Sequence, residues 1–192
     1  LPQHTVAREL LHTEITNIGL YGYGIKAFML SMIETAIRIT DKSLPNEAIE
    51  KIIEYGQELL SKPVDLMDGV EDVLQQLKGR YRLVMATKGD LLDQERKLKK
   101  SGLENYFHHI EIMSEKKEDD FRKLIRHLDI QPENFAMIGN SIKSDIVPVL
   151  NLGGYGFHIP YHVTWAHERV ETLIEHEKFK VLNSIHELLN HL

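Results

Sequence analysis

Apolar residues recur every three to four positions through the segment 1–61 of the chain, which is the spacing of amphipathic helices. The pattern predicts three helices, at 4–18, 25–40 and 46–61. A glycine-rich turn from Gly19 to Gly24 separates the first two. Lys62-Pro63 then ends the third, because the residue before a proline disfavours helical backbone. The sequence therefore predicts an all-helical domain over residues 1–62.

From residue 63 onwards, short apolar runs alternate with amphipathic stretches. The short runs predict strands at 81–86, 108–112, 135–138, 154–158 and 179–182. The amphipathic stretches predict helices at 69–78, 91–101, 118–128, 144–151 and 184–191. Asp68, with Glu71 three residues later, is typical of a capping box at the first of these helices. Alternating strands and helices imply right-handed crossovers and a parallel sheet, so residues 63–192 are predicted to form a doubly wound α/β domain.

Composition narrows the class of protein. The 192 residues suffice for one large domain or for a domain with a smaller companion. The net charge of −6 argues against nonspecific nucleic-acid binding. The sequence has no cysteine, which excludes disulfides and thiolate zinc sites and agrees with a cytoplasmic location. No apolar run approaches the roughly 20 residues that a membrane-spanning helix needs, so no membrane partner is expected.

Polar residues follow three of the predicted strands near the points where these strands end. They are Thr87 and Lys88, then Lys116 and Lys117, and then Asn140 and Asp145. The carboxyl ends of parallel strands share one edge of a sheet, where α/β proteins bind charged ligands. Thr87 at a helix start suits an anion, and the Asp145 carboxylate suits Mg²⁺, which prefers oxygen ligands. These side chains are therefore expected to converge.

The segments 83–88, 114–117 and 135–146, in this order, resemble the second, third and fourth motifs of the haloacid dehalogenase-like hydrolase superfamily. The resemblance covers about residues 64–160, and residues 1–62 resemble the helical cap of that family. It implies a Rossmann-like parallel sheet with a helical cap. It also implies hydrolysis of a small phosphorylated metabolite by a Mg²⁺-dependent phosphatase with an aspartate nucleophile.

The resemblance assigns catalytic roles to three residues of this sequence. Thr87 would hydrogen-bond a phosphoryl oxygen, Lys116 would offset negative charge in the cleft, and Asp145 would ligate the metal. Lys117 stays an alternative to Lys116, because neighbours on an extended segment face opposite ways. Asn140 stands where many relatives have an aspartate, so as a second Mg²⁺ ligand it would offer an uncharged amide oxygen.

Further residues are expected to contact the substrate. In capped relatives, a loop comparable to the Gly19–Gly24 turn leans over the active site and would read the leaving group. A tight turn that carries surface tyrosines is an equally good interpretation. The predicted substrate-binding residues are Tyr21, Tyr23, Lys26, Lys88 and Asn140. The oligomeric state stays open, with a homodimer as one expectation.

The first motif of the family is an apolar strand that ends in Asp-x-Asp, and the sequence has no such segment. That strand lies between those ending near Thr87 and Asn140 in the family, and unpaired backbone groups at this gap would cost about 1–3 kcal/mol each. We therefore expect the natural protein to carry the nucleophile on an upstream segment. Two alternatives stay open: a 2-haloacid dehalogenase, and a non-catalytic binding module that kept the fold.

Overall fold

The computed structural model describes residues 1–163, 165, 168 and 174–192. Their α-helices are α1 (Gln3–Tyr21), α2 (Ile25–Ile39), α3 (Asn46–Ser61), α4 (Val70–Leu77), α5 (Leu91–Ser101), α6 (Glu118–His127) and α7 (Val147–Asn151). Their strands are β1 (Val84–Lys88), β2 (His109–Met113), β3 (Ala136–Gly139), β4 (Tyr155–His158) and β5 (Phe179–Val181). Within this part of the chain, no helix combines the length and apolarity required to cross a membrane.

The chain forms two compact units. The first comprises Leu1–Asp65 and Lys88–Gly102, and the second comprises Leu66–Thr87 and Leu103–Leu192. In the first unit, Lys100 Nζ donates to the carbonyl oxygens at the end of α3, Leu60, Ser61 and Lys62, at 3.1–3.2 Å. These bonds satisfy orphan carbonyls of that helix end and explain why α5 groups with the helices.

A polar seam joins α1 to α2 in the first unit. Thr35 Oγ1 donates to Thr13 Oγ1 at 2.9 Å, and Asn17 Nδ2 donates to Ser31 Oγ at 3.1 Å, with all four residues buried. The α2–α3 contact is so close that a Cβ on Gly56 would lie 1.9 Å from Met29 Sδ. Glycine is thus required inside α3 for steric reasons, despite its low helix propensity.

The described residues of the second unit form two sheets. One pairs β1 with β2, and the other has the order β3-β4-β5. In the three-stranded sheet all pairings are parallel, with Ala136 opposite Tyr155 and Gly156 opposite Phe179. The predicted mixed α/β architecture with parallel strands is confirmed.

Helices cover β3 on both of its faces. Met137 packs in a core cluster with Phe121 of α6 and Val149 of α7. The alternate residues Ala136 and Ile138 pack against the second cluster, which includes Val73 of α4 and Leu182. Successive side chains of a strand point to opposite faces, so β3 is buried between two helical layers, as a doubly wound fold requires.

Several element boundaries differ from the predictions. The strand predicted at 81–86 lies at Val84–Lys88, because the amides of Arg80 and Tyr81 donate to Leu77 O and close the end of α4. The predicted terminal helix at 184–191 is a 3₁₀ helix, Ile185–Asn190.

The capping box predicted from Asp68 and Glu71 is wrong. The residue that precedes α4 is Gly69, and no side chain of the described residues caps this helix start. Gly69 has a φ of +74°, and a Cβ there would lie 2.0 Å from the His186 imidazole. Left-handed backbone and close packing both demand glycine at this position, and the helix therefore starts one residue later than a cap at Asp68 would allow.

Candidate active site

A π-helical turn, Ile142–Ile146, follows β3 where the sequence predicts the first turn of a helix at 144–151. Ser141 caps it, because its Oγ accepts the Ser144 N–H at 3.0 Å. The turn folds Asp145 back onto the strand end, and the Asp145 Oδ2 atom accepts the Ser141 N–H at 3.0 Å. Such turns are frequent at functional sites, since they re-aim a side chain within a helical segment. Here the re-aimed group is a buried carboxylate, 4% exposed.

Lys116 contacts this carboxylate directly. Its Nζ lies 2.7 Å from Asp145 Oδ1, and the two side chains are 11% and 6% exposed. Lys116 comes three residues after β2, and Asp145 comes six residues after β3. Two of the three predicted catalytic residues, Lys116 and Asp145, are therefore in contact, and each follows the carboxyl end of a strand of the second unit.

Lys117 has a different environment from Lys116. Its side chain is 74% exposed and forms an ion pair with Glu115. Its backbone N–H donates to Asp120 Oδ2 at 3.2 Å, and the residue is the N-cap of α6. The structure thus brings Lys116, and not Lys117, to Asp145.

Glu168 lies against the same turn and was not singled out as a site residue by sequence reasoning. Ser144 Oγ donates to Glu168 Oε2 at 2.6 Å, and Ser141 Oγ donates to the same oxygen. The glutamate is distant from both serines along the chain, and its position follows no recognisable spacing. The one sequence signal for such a contact is the short polar turn with two serines, because buried hydroxyl groups need hydrogen-bond partners.

Thr87 and Asn140 occupy the strand ends that the sequence predicts for them. Thr87 is the penultimate residue of β1 and belongs to the same compact unit as Lys116 and Asp145. Asn140 directly follows β3 and is exposed, and its carbonyl oxygen lies 3.1 Å from His158 Nε2. Their predicted roles in phosphoryl and metal binding stay predictions.

The residues predicted to bind substrate from the first unit meet around the glycine turn. Lys88 Nζ lies 4.4 Å from the centroid of the Tyr23 ring, a cation–π contact. Lys26 Nζ lies 2.8 Å from Asp90 Oδ1. Tyr21 is turned to α2 instead, where its hydroxyl donates to Glu34 Oε1 at 2.6 Å. Three of these four residues therefore gather at residues 23–26 and 88–90.

The ion pair between Lys26 and Asp90 gives a testable pKa. The hydrogen bond from Lys26 holds the pKa of Asp90 below its usual range, and the same bond raises the pKa of Lys26. Stability from the lowered Asp90 pKa is present above the unfolded-state pKa and is lost as the pH falls through the folded value. We expect Lys26→Met to raise the Asp90 pKa in an NMR titration. Lys51→Met, at an exposed pair with Glu54, should leave it unchanged.

Ser141 should contribute measurably to stability. Ser141→Ala removes the cap of the π turn and one hydrogen bond to Glu168, and we expect a loss of about 1–3 kcal/mol in the free energy of unfolding. Urea unfolding measures it. Ser61→Ala is the matched control, because the exposed Ser61 hydroxyl donates to a carbonyl of its own helix and should cost no more than about 0.5 kcal/mol. Equal losses of unfolding free energy in the two variants would contradict a structural role for the Ser141 hydroxyl.

The hydrogen bonds of Asp145 leave room for this carboxylate to bind Mg²⁺ as one ligand. Each carboxylate oxygen of Asp145 holds one hydrogen bond, from Lys116 and from the Ser141 N–H, and a carboxylate has about four acceptor positions. Asp145 can therefore still ligate a cation. Mg²⁺ commonly uses one or two protein carboxylates and takes the remaining ligands from water and phosphate.

The parallel strands of the second unit define an α/β fold class. The buried pair of Lys116 and Asp145, which follows the strand ends, defines the candidate site. Residues 4–153 match the family described as haloacid dehalogenase-like hydrolase. The chain belongs to this family of hydrolases.

Individual relatives give further comparisons. A haloacid dehalogenase-like family hydrolase from Xanthomonas campestris is 36% identical, with a TM-score of 0.82 over 94% of this chain and 70% of that one. A predicted phosphoglycolate phosphatase from Haemophilus somnus, 13% identical with a TM-score of 0.63 over 97% of this chain and 92% of that one, shares the fold.

N-acylneuraminate-9-phosphatase from Mus musculus is 32% identical over 93 residues, or 46% of this chain and 38% of that protein. The Homo sapiens protein of the same name is 28% identical over 93 residues, with the same shares of the two chains. The matched part thus spans less than two fifths of the length of these curated relatives.

Proposed function

We propose that this chain belongs to a Mg²⁺-dependent phosphomonoester hydrolase that acts through an aspartyl-phosphate. The observation that carries the proposal is the buried contact between Lys116 Nζ and Asp145 Oδ1 at 2.7 Å. A buried ammonium beside a carboxylate supplies fixed positive charge where a phosphoryl group and several carboxylates would crowd together. The similarity to N-acylneuraminate-9-phosphatase supports a phosphate ester as substrate.

The division of roles follows from the chemistry of each group. The Thr87 hydroxyl would donate to a phosphoryl oxygen, and Lys116 would hold the transferring group and offset its charge. Asp145, assisted by the amide of Asn140, would hold Mg²⁺, which supplies charge neutralisation of the phosphoryl group when bound. The catalytic gain would come from positioning and electrostatics, since these groups do little covalent chemistry of their own.

The nucleophile is proposed to lie on an upstream strand of the natural protein. Among the described residues, β1 pairs with β2 and β3 pairs with β4, and the ladders form two separate sheets. One strand inserted between β1 and β3 would join them and satisfy the backbone groups at both edges. An aspartate at the end of such a strand would share the edge with Thr87 and Asn140. The separation of the sheets supports this arrangement.

The segment 1–62 is proposed to be the helical cap domain, and residues 63–192 are proposed to be the hydrolase core. Substrate choice would then depend on Tyr21, Tyr23 and Lys26, together with Lys88. The two lysines offer positive charge for a small phosphorylated metabolite. The relatives named above make N-acylneuraminate 9-phosphate the first substrate to test.

Phosphate release by the full-length natural protein tests the proposal. We expect turnover of p-nitrophenyl phosphate and of N-acylneuraminate 9-phosphate with Mg²⁺, loss of turnover with EDTA, and recovery when Mg²⁺ is restored. Asp145→Asn should weaken the affinity for Mg²⁺, measured as a rise in the Mg²⁺ concentration that gives half-maximal rate. Chloride release from a 2-haloacid without metal would instead identify a dehalogenase. Binding of phosphate without any turnover would identify a non-catalytic module.

A further inference from the structure

Three potential metal ligands meet at the start of β2 in the second unit. His109 and Glu111 are two positions apart on this strand and therefore share one face of it. His127 is the last residue of α6. One ligand atom from each of the three residues lies within 4.8 Å of the other two.

We propose that His109, Glu111 and His127 form a binding site for a divalent transition metal ion of the zinc class. Two imidazoles and a carboxylate suit Zn²⁺, Ni²⁺ or Cu²⁺, whereas Mg²⁺ prefers oxygen ligands alone. The proposal concerns a second metal, with chemistry unlike that of the Mg²⁺ proposed at Asp145. It does not depend on the proposed phosphatase activity.

The state of the His109 ring points to a cation. Its Nε2 atom is buried and makes no hydrogen bond among the described residues. The same atom lies 3.5 Å from Glu111 Oε2. The other ring nitrogen, Nδ1, lies 2.8 Å from His108 Nδ1, so one of these two nitrogens carries the shared proton. When His109 donates it, its Nε2 lone pair faces a carboxylate, and a cation between the two resolves this repulsion.

The distances fit tetrahedral coordination. Zinc–nitrogen bonds of about 2.0–2.1 Å and zinc–oxygen bonds of about 2.0–2.2 Å place two tetrahedral ligand atoms about 3.3–3.5 Å apart. The measured 3.5 Å between His109 Nε2 and Glu111 Oε2 matches this spacing. His127 is exposed at its helix end, so a rotation of its side chain can complete the site. Three protein ligands leave a fourth position for water.

His108 would act as a positioning residue. Metal-bound histidines usually donate their second ring N–H to a neighbouring acceptor, which fixes the tautomer and the ring orientation. His108 Nδ1 is placed to accept that proton from His109 Nδ1. The bound ion would then connect β2 to α6. The site lies at the start of β2 and at the end of α6, whereas Lys116 lies after the end of β2 and before the start of α6.

Metal titration of untagged full-length protein tests the site. After treatment with a chelator, the wild-type protein should bind one Zn²⁺ at this cluster by isothermal titration calorimetry, and its melting temperature should rise with Zn²⁺ concentration. His127→Ala and Glu111→Gln should each weaken Zn²⁺ binding at least tenfold. His108→Ala should weaken it roughly tenfold to a hundredfold, because it removes only the orienting partner.

His12→Ala is the matched control, since His12 is also an exposed helical histidine and should leave the affinity for Zn²⁺ unchanged. His127→Gln provides a second variant that keeps the size of the side chain. Melting curves without metal verify that each variant is folded. The proposal is overturned if the wild-type protein binds no Zn²⁺, Ni²⁺ or Cu²⁺, or if the variants at 111 and 127 bind Zn²⁺ as tightly as the wild type. An imidazolium–carboxylate ion pair would produce the first of these results.

Discussion

Replacing Lys116 by methionine is expected to reduce phosphate release by the full-length protein by about 10²–10³-fold. The same change should lower the free energy of unfolding by about 3–5 kcal/mol, because it removes one partner of a buried ion pair. Both side chains of the pair are almost fully shielded from water, with Lys116 Nζ and Asp145 Oδ1 2.7 Å apart. Without the ammonium, Asp145 keeps the Ser141 N–H as a partner and carries an uncompensated charge.

Lys117→Met is the matched control for this change, since it removes the same charge one residue further along. The Lys117 side chain is 74% exposed, so we expect a stability change of no more than about 1 kcal/mol and nearly wild-type turnover. Urea unfolding and the steady-state rate with Mg²⁺ measure the two effects. A double-mutant cycle with Asp145→Asn then isolates the coupling between the two groups. Equal losses in the two lysine variants would argue against a role of Lys116 at the site.

The periodicity of the sequence predicts most of the fold because each element carries its own signal. The three helices predicted before Lys62 are confirmed, and β3 follows from its short apolar run because both of its faces are buried. Boundaries are less accurate where tertiary contacts decide them. The close contact between Gly69 and His186 sets the start of α4, and no local sequence pattern predicts this contact.

The candidate site is partly visible in the sequence for a similar reason. The rule that parallel strands end at one edge of a sheet predicts that Lys116 and Asp145 lie near each other, and their side chains are in contact. It cannot find Glu168, which lies 27 residues after Ser141 and 24 residues after Ser144 along the chain. It also misses the cluster of His109, Glu111 and His127. This cluster lies at the start of β2, away from the carboxyl end of the strand, and His127 belongs to α6.

The separation of β1 from β3 links the proposed upstream strand to the stability of the fold. The resemblance predicts unpaired strand edges where the nucleophile strand of the family would lie. The described residues form two sheets that share no ladder. Unpaired backbone groups at such edges need either water or another strand. A segment that fills this position would therefore add stability and the nucleophile together, so activity and stability should be measured on the full-length protein.

Gly139→Ala should damage both stability and turnover, although it adds one methyl group. A Cβ at Gly139 would lie 2.2 Å from Asp145 Oδ2 and 2.4 Å from its Cγ. The carboxylate cannot move aside freely, because Lys116 and the Ser141 N–H hold its two oxygens. We expect a loss of about 1–3 kcal/mol in the free energy of unfolding from overpacking. A displacement of about 1 Å at a catalytic group can cost about 10²-fold in rate, and we expect a loss of turnover of that order.

Gly19→Ala is the control for this substitution. Gly19 lies within α1, and a Cβ there would meet no atom of the described residues within 4 Å, so alanine should raise the stability of the protein by about 0.5–1 kcal/mol. Urea unfolding and the rate with Mg²⁺ distinguish the two variants. Wild-type turnover by Gly139→Ala would mean that the position of Asp145 does not matter for the reaction, and its proposed catalytic role would be lost. A large loss of turnover with a small loss of stability would tie the role of Gly139 to the placement of that carboxylate.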